Sequence, residues 1–219
     1  MKLGVIAGTV VDTQMGCDLI ESYNYTSVFL PMSNTCNEQS DSQYYSKTKL
    51  EKLFIEKCNI AKEQGCEKIF LYCNSLSCSV DYNKISSELN IEIITPLESY
   101  KHLPSYCKNI VIMGANGLSA FMIDKIIREH NKGVNTICYG NVSIVESIEA
   151  KKTPIDIIKE LNINGFIHYI ENINSSKFKV DSILLGCTHF PYIKEEIEKI
   201  TNLKIIDPTK DMLDRCKNN

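Results

Sequence analysis

The chain has 219 residues, 43% of them hydrophobic and 23% charged, with a net charge of −3. That composition suits one large domain or two small lobes around a buried core. It carries no basic block for nucleic acid or anionic membrane, and no run of the roughly 18 apolar residues a membrane helix requires. The opening MKLGVIAGTVVDTQMG is a short strand-like apolar run without a secretory pattern. With no export signal, the ten cysteines point to reduced thiols in a cytoplasmic protein rather than to a disulfide framework. Cys17, Cys36, Cys58, Cys66, Cys78, Cys107, Cys138 and Cys216 read as small core hydrophobes or surface thiols.

In chain order, β-branched runs predict strands at Leu3–Ala7, Ser27–Leu30, Lys68–Tyr72, Ile91–Ile94, Ile110–Met113, Thr136–Tyr139, Ser182–Leu185 and Lys204–Ile206. Between them the pattern predicts helices near Gln39–Gln64, Val80–Leu89, Leu118–His130, Pro154–Ile173 and Tyr192–Ile200. Within the first, Leu50, Leu53, Phe54 and Ile60 form the expected apolar stripe. Asn172–Lys179 is the most loop-like stretch. Strands alternating with helices predict a parallel α/β fold.

An internal echo sharpens this. Residues 67–96, EKIFLYCNSLSCSVDYNKISSELNIEIITP, and 181–208, DSILLGCTHFPYIKEEIEKITNLKIIDP, share one plan. Each is an apolar strand ending in cysteine, then small polar residues, a helix, a second strand and a proline. From cysteine to proline is 23 positions in the first copy and 21 in the second. Upstream, LGVIAG at Leu3–Gly8 matches IVIMGA at Ile110–Ala115. The expected architecture is therefore two similar lobes, each a parallel sheet flanked by helices, related by a pseudo-twofold axis. The first lobe is expected over 1–98 plus 205–219 and the second over 99–204. Parallel sheets bind ligands beyond the carboxyl ends of their strands. Cys73 and Cys187 sit at such ends and are expected to meet across the cleft between the lobes.

Two cysteines on opposite faces of one carbon suit a deprotonation and reprotonation that inverts a stereocentre. One thiolate removes a proton, and the opposite thiol delivers one to the far face. Asn74, Ser75 and Thr188 follow the cysteines directly, and their N–H groups and side chains are candidates to hold a carboxylate. Pro191 fits the first turn of the second helix. His189, two residues after Cys187, is either a polar helix-start residue or a hydrogen-bond partner of that thiol. Zinc ligation by Cys73, Cys78, Cys187 and His189 fits the spacing of paired knuckles poorly. A Cys–His acyl-transfer nucleophile leaves the second cysteine without a task. Gly4, Gly8 and Gly16 do not give a dinucleotide-binding fingerprint.

At these residues the sequence resembles the aspartate/glutamate racemase superfamily. LGCTHFPYI at Leu185–Ile193 resembles the second cysteine motif of glutamate racemases, and YCNSLS at Tyr72–Ser77 resembles the first. LGVIAGT at Leu3–Thr9 is similar to the opening of the aspartate racemase branch. The resemblance covers nearly the whole chain. It implies two α/β lobes, no cofactor and no metal, with Cys73 and Cys187 as the two bases and His189 assisting Cys187. It further implies a small amino-acid substrate held by Gly8, Thr9, Asn74, Ser75, Asn116 and Thr188, a homodimer, and a C-terminal return to the first lobe. Aspartate is slightly favoured as substrate, glutamate next.

The chain departs from the family's pattern at several places. Ala7 and Gly8 stand where glutamate racemases carry Asp-Ser, with Asp12 nearby. Ala115, Asn116 and Ser119 occupy the second-lobe loop that usually reads Gly-Thr. Neither Arg128 nor Arg215 lies in the loop MSNTCNEQSDSQYYSK, where aspartate racemases use an arginine; Lys47 is the cation there. These changes keep a second reading open, a small-carboxylate-binding protein with lost or altered chemistry. Hydantoin racemases, arylmalonate decarboxylases and maleate isomerases share the implied fold.

Overall fold

The computed structural model describes residues 1–42 and 44–217. Gln43, within the helix expected over Gln39–Gln64, and Asn218 and Asn219, at the end of the expected first lobe, lie outside the described residues. The chain divides into two compact units, Met1–Leu97 together with the residues from Thr209 onward, and Glu98–Pro208. The first begins β1 (Lys2–Ala7), α1 (Val10–Ser22), β2 (Thr26–Pro31), α2 (Cys36–Ser42) and α3 (Lys47–Glu63). It continues β3 (Lys68–Tyr72), α4 (Asn74–Ser79), α5 (Tyr82–Leu89) and β4 (Glu92–Ile94). The short α6 (Leu97–Tyr100) leads into β5 (Asn109–Gly114), α7 (Gly117–His130), β6 (Asn135–Gly140) and α8 (Val142–Glu149). Then come α9 (Pro154–Glu160), α10 (Ile163–Glu171), β7 (Ser182–Gly186), a 3₁₀ turn (Phe190–Ile193), α11 (Lys194–Ile200) and β8 (Lys204–Ile206). Helix α12 (Thr209–Lys217) closes the chain. Among the described residues no helix is long and apolar enough to cross a membrane.

Among the described residues the strands form two parallel sheets of the same topology, β2-β1-β3-β4 and β6-β5-β7-β8. The repeat read in the sequence is thus a repeat of architecture, with β5 occupying the place of β1 and β7 the place of β3. Each predicted strand is present, its ends within one residue of expectation. Strands β3 and β7 are buried at every position, as the central strands of a covered parallel sheet must be. The chain passes to the first unit at Thr209 rather than at residue 205, because Lys204–Ile206 complete the ladder with Ser182–Leu184.

The helices differ more from expectation, and caps explain why. Ser46 accepts from the Lys49 amide and starts α3 afresh, so the expected helix over Gln39–Gln64 is two helices. Asp81 likewise caps α5, leaving Asn74–Ser79 as a separate α4. Asn162, in the left-handed region at φ 49°, separates α9 from α10 within the expected Pro154–Ile173 helix. Pro191 opens a 3₁₀ turn rather than the first turn of α11. On α3 the buried stripe is Leu50, Phe54, Cys58 and Ala61, whereas Ile60 is exposed. A spacing of four, four and three residues follows the helical period better than a stripe ending at Ile60.

Strand alternation sorts the first sheet into two faces. Ile6, Ile69, Leu71 and Cys73 pack with Leu50, Phe54, Cys58 and Ala61 of α3. Leu3, Val5, Phe70 and Tyr72 pack with Cys17 and Ile20 of α1 and with Met212, Leu213 and Cys216 of α12. Burying a side chain such as Phe54 or Leu213 contributes roughly 1.5–3 kcal/mol. Cys73 therefore emerges on the α3 face of its sheet, one residue past the last ladder pair.

Candidate active site

In the first unit, β1 and β3 are in register with Ala7 opposite Tyr72. Gly8 and Cys73 therefore leave the sheet side by side at its carboxyl end. Thr9 caps α1, its Oγ1 accepting from the Asp12 amide at 3.2 Å. The Asp12 carboxylate folds back to accept from the Gly8 N–H at 3.4 Å, so a buried carboxylate does lie beside the Ala7–Gly8 turn. The Cys73 thiol is buried, with Ser75 Oγ 3.3 Å from its Sγ. Asn74 is buried at the start of α4.

A residue that the sequence did not single out completes this side. Gln39, on α2, donates from Nε2 to Cys73 Sγ at 3.8 Å. The same amide lies over Gly8, where an added Cβ would stand 1.9 Å from Gln39 Nε2. Glycine at position 8 is what leaves room for it. Lys47 pairs instead with Glu51 on the exposed side of α3, Arg128 pairs with Asp124 and Arg215 with Asp211.

In the second unit, Gly114 stands opposite Gly186, so Ala115 and Cys187 occupy the places that Gly8 and Cys73 hold in the first. Cys187 and Thr188 are buried. His189 is buried too, with Nδ1 3.7 Å from Cys187 Sγ and Nε2 3.1 Å from Glu149 Oε1. When Glu149 is ionised it only accepts, which places the imidazole proton on Nε2. In that tautomer Nδ1 faces Cys187 Sγ, placed to accept from the thiol or, once protonated, to donate to the thiolate. Glu149 was invisible in the sequence, forty residues from His189 at the end of a helix that the periodicity did not mark. Asn116 caps α7 through its Oδ1, which accepts from the Ser119 amide at 2.8 Å, and Ser119 Oγ bonds back to the Asn116 N–H. Gly140, at the end of β6, lets this loop cross closely, since a Cβ there would meet Asn116 C at 2.3 Å and Gly117 N at 2.4 Å.

Most of the remaining thiols sit in the core. Cys17, Cys58, Cys66, Cys107 and Cys216 are buried free thiols and Cys138 an exposed one. Burial pushes Cys58 up to about 12 and Cys216 up to about 11. Burial, and then the charge of neighbouring Cys73, pushes Cys78 up to about 12. Such groups stay protonated through the ordinary pH range and are poor bases.

No family model matches the chain. Known proteins do. A glutamate racemase from Fusobacterium nucleatum is 25% identical over 182 residues, which are 78% of this chain and 63% of that protein. A glutamate racemase from Aliivibrio fischeri is 27% identical over 164 residues, 71% of this chain and 59% of that protein. The chain is thus similar in sequence to glutamate racemases over most of its length. The chain spans about three-fifths of the length of these two racemases. The fold is similar to that of solved racemases. A Francisella tularensis glutamate racemase solved with D-glutamate superposes with a TM-score of 0.70 at 18% identity, covering 98% of this chain and 79% of that one. An aspartate racemase homologue from Pyrococcus horikoshii superposes with a TM-score of 0.66 at 15% identity, covering 98% and 96% respectively.

Proposed function

We propose that the chain is a cofactor-independent racemase of an acidic amino acid, aspartate or glutamate, with Cys73 and Cys187 as its two bases. The observation that carries this is the duplicated placement of a buried cysteine one residue past β3 and past β7, each with its own hydrogen-bond partners. The named activity of the glutamate racemase relatives supports the same reading.

In the proposed reaction one cysteine thiolate takes the Cα proton and becomes a thiol. The electron pair left on Cα delocalises into the α-carboxylate, which is held by donors among Thr9, Asn74, Ser75 and Thr188. The opposite thiol then gives its proton to the other face of Cα and becomes the thiolate. Product leaves with inverted configuration, and the two cysteines have exchanged protonation states. His189, oriented by Glu149, buffers the charge on Cys187 in both directions. A homodimer is proposed on the family resemblance alone.

Proton NMR of the purified, reduced protein in D₂O tests this, with L- and D-aspartate and L- and D-glutamate and no added cofactor. Loss of the Cα proton signal by exchange with deuterium, with the opposite enantiomer recovered from the same sample by chiral chromatography, supports the proposal and names the substrate. Saturable binding of one of these amino acids without Cα exchange refutes it in favour of the carboxylate-binding protein.

A further inference from the structure

We propose that Gln39 is the positioning residue for Cys73, a neutral amide donor that holds the thiol in place and favours its thiolate form. The inference rests on Cys73 acting as a base, and two observations beyond that reading carry it. Gln39 Nε2 is within hydrogen-bond range of Cys73 Sγ, and the same amide rests over Gly8, the one residue type that leaves room for it. A thiolate accepts more strongly than a thiol, so a donor aimed at sulfur favours the charged form.

The two cysteines are served differently. Cys187 faces His189, an imidazole that can carry a second proton. Cys73 faces Ser75 and Gln39, which have no titration in the working range. Cys78 on α4 neighbours Cys73 and is kept neutral by burial, and Asp12 on α1 bonds the amide of Gly8, which leaves the sheet beside Cys73. On α2 itself Glu38 turns its carboxylate to the Asn34 N–H.

None of the described residues of α2 is buried, so substitution at Gln39 leaves the folded core intact. The test is a titration of the full chain with ¹³Cβ-labelled cysteine by NMR, with the Cys73 signal assigned by its absence in Cys73→Ser. In Gln39→Met, which keeps the length and removes the donor, the Cys73 midpoint is expected to rise by about one pH unit. In Gln39→Glu, with a carboxylate facing sulfur, it is expected to rise further. A Cys73 midpoint unmoved in both variants overturns the inference. The titration needs no turnover, so the two readings fail separately. A shifted midpoint in a protein without Cα exchange refutes the racemase reading and leaves Gln39 in its place; an unmoved midpoint in an active racemase does the reverse.

Discussion

Raising the pH above 9 should unfold the first unit through its desolvated thiols. Cys58, Cys78 and Cys216 all lie in that unit, and each is raised from an ordinary value of 9.0 to about 11 or 12, chiefly by burial. An unfolded chain gives up these protons near pH 9, while the folded chain keeps them until pH 11 to 12. Between those limits the folded state binds more protons, so stability falls as pH rises. The stabilisation is fully present below pH 9. Above it each thiol costs about 1.4 kcal/mol per pH unit, so the three together cost about 4 kcal/mol per unit and about 8 kcal/mol by pH 11. Against a typical total of about 5–15 kcal/mol, that is enough to unfold the unit. The assay is urea denaturation followed by circular dichroism from pH 7.5 to 10.5 under reducing conditions, with hydrogen exchange to locate the loss. Protection should fall first in β1–β4 and α12. Cys58→Ala lowers stability at every pH but should flatten the alkaline slope by about a third. An identical slope in Cys58→Ala and the parent, or alkaline loss that begins in β5–β8, would refute the reasoning.

Three further predictions concern the site. Cys73→Ser and Cys187→Ser should each lower racemisation by a factor of at least about 10³, because a serine hydroxyl is far too weak an acid to supply the base near neutral pH; coupled polarimetry or chiral chromatography reads this, and near-parent turnover in either variant contradicts the two-base scheme. Glu149→Gln keeps the shape but removes the charge that orients His189, and should lower kcat by about 10²–10³. Since a racemisation equilibrium constant is one, kcat/KM must fall equally for both enantiomers; a loss confined to KM would point to substrate binding instead. Gly140→Ala forces a Cβ against the Asn116–Gly117 backbone at 2.3–2.4 Å, and should cost about 1–3 kcal/mol in a thermal melt while disturbing the α7 cap. An unchanged melting temperature would mean that the loop yields without strain.

The strands were legible because each is a β-branched run bounded by polar residues, and the duplicated Cys motif lay on the two most buried of them. Helix α1 was hidden by its own opening, since Val10 and Val11 read as a continuation of β1, and only the Thr9–Asp12 cap marks its start. Helix α8, VSIVESIE, carries apolar residues at spacings that fit strand and helix alike, so Glu149 had no element to belong to. Its partner His189 was visible because it adjoins Cys187 in sequence. Gln39 and Glu149 meet their cysteine or histidine only through the fold, and a single sequence holds no signal for contacts at such separations. Ile60 failed as a core residue because the α3 stripe turns with Cys58 and Ala61. Small residues that a hydrophobicity pattern weighs lightly were the ones in contact.

Helix α2 carries Gln39 toward the thiol, yet none of its described residues is buried. Substitutions there change what surrounds Cys73 without opening a cavity in the core, so they are nearly neutral for folding. The segment is therefore a place where a laboratory selection can vary the surroundings of Cys73 while the sheets beneath stay the same.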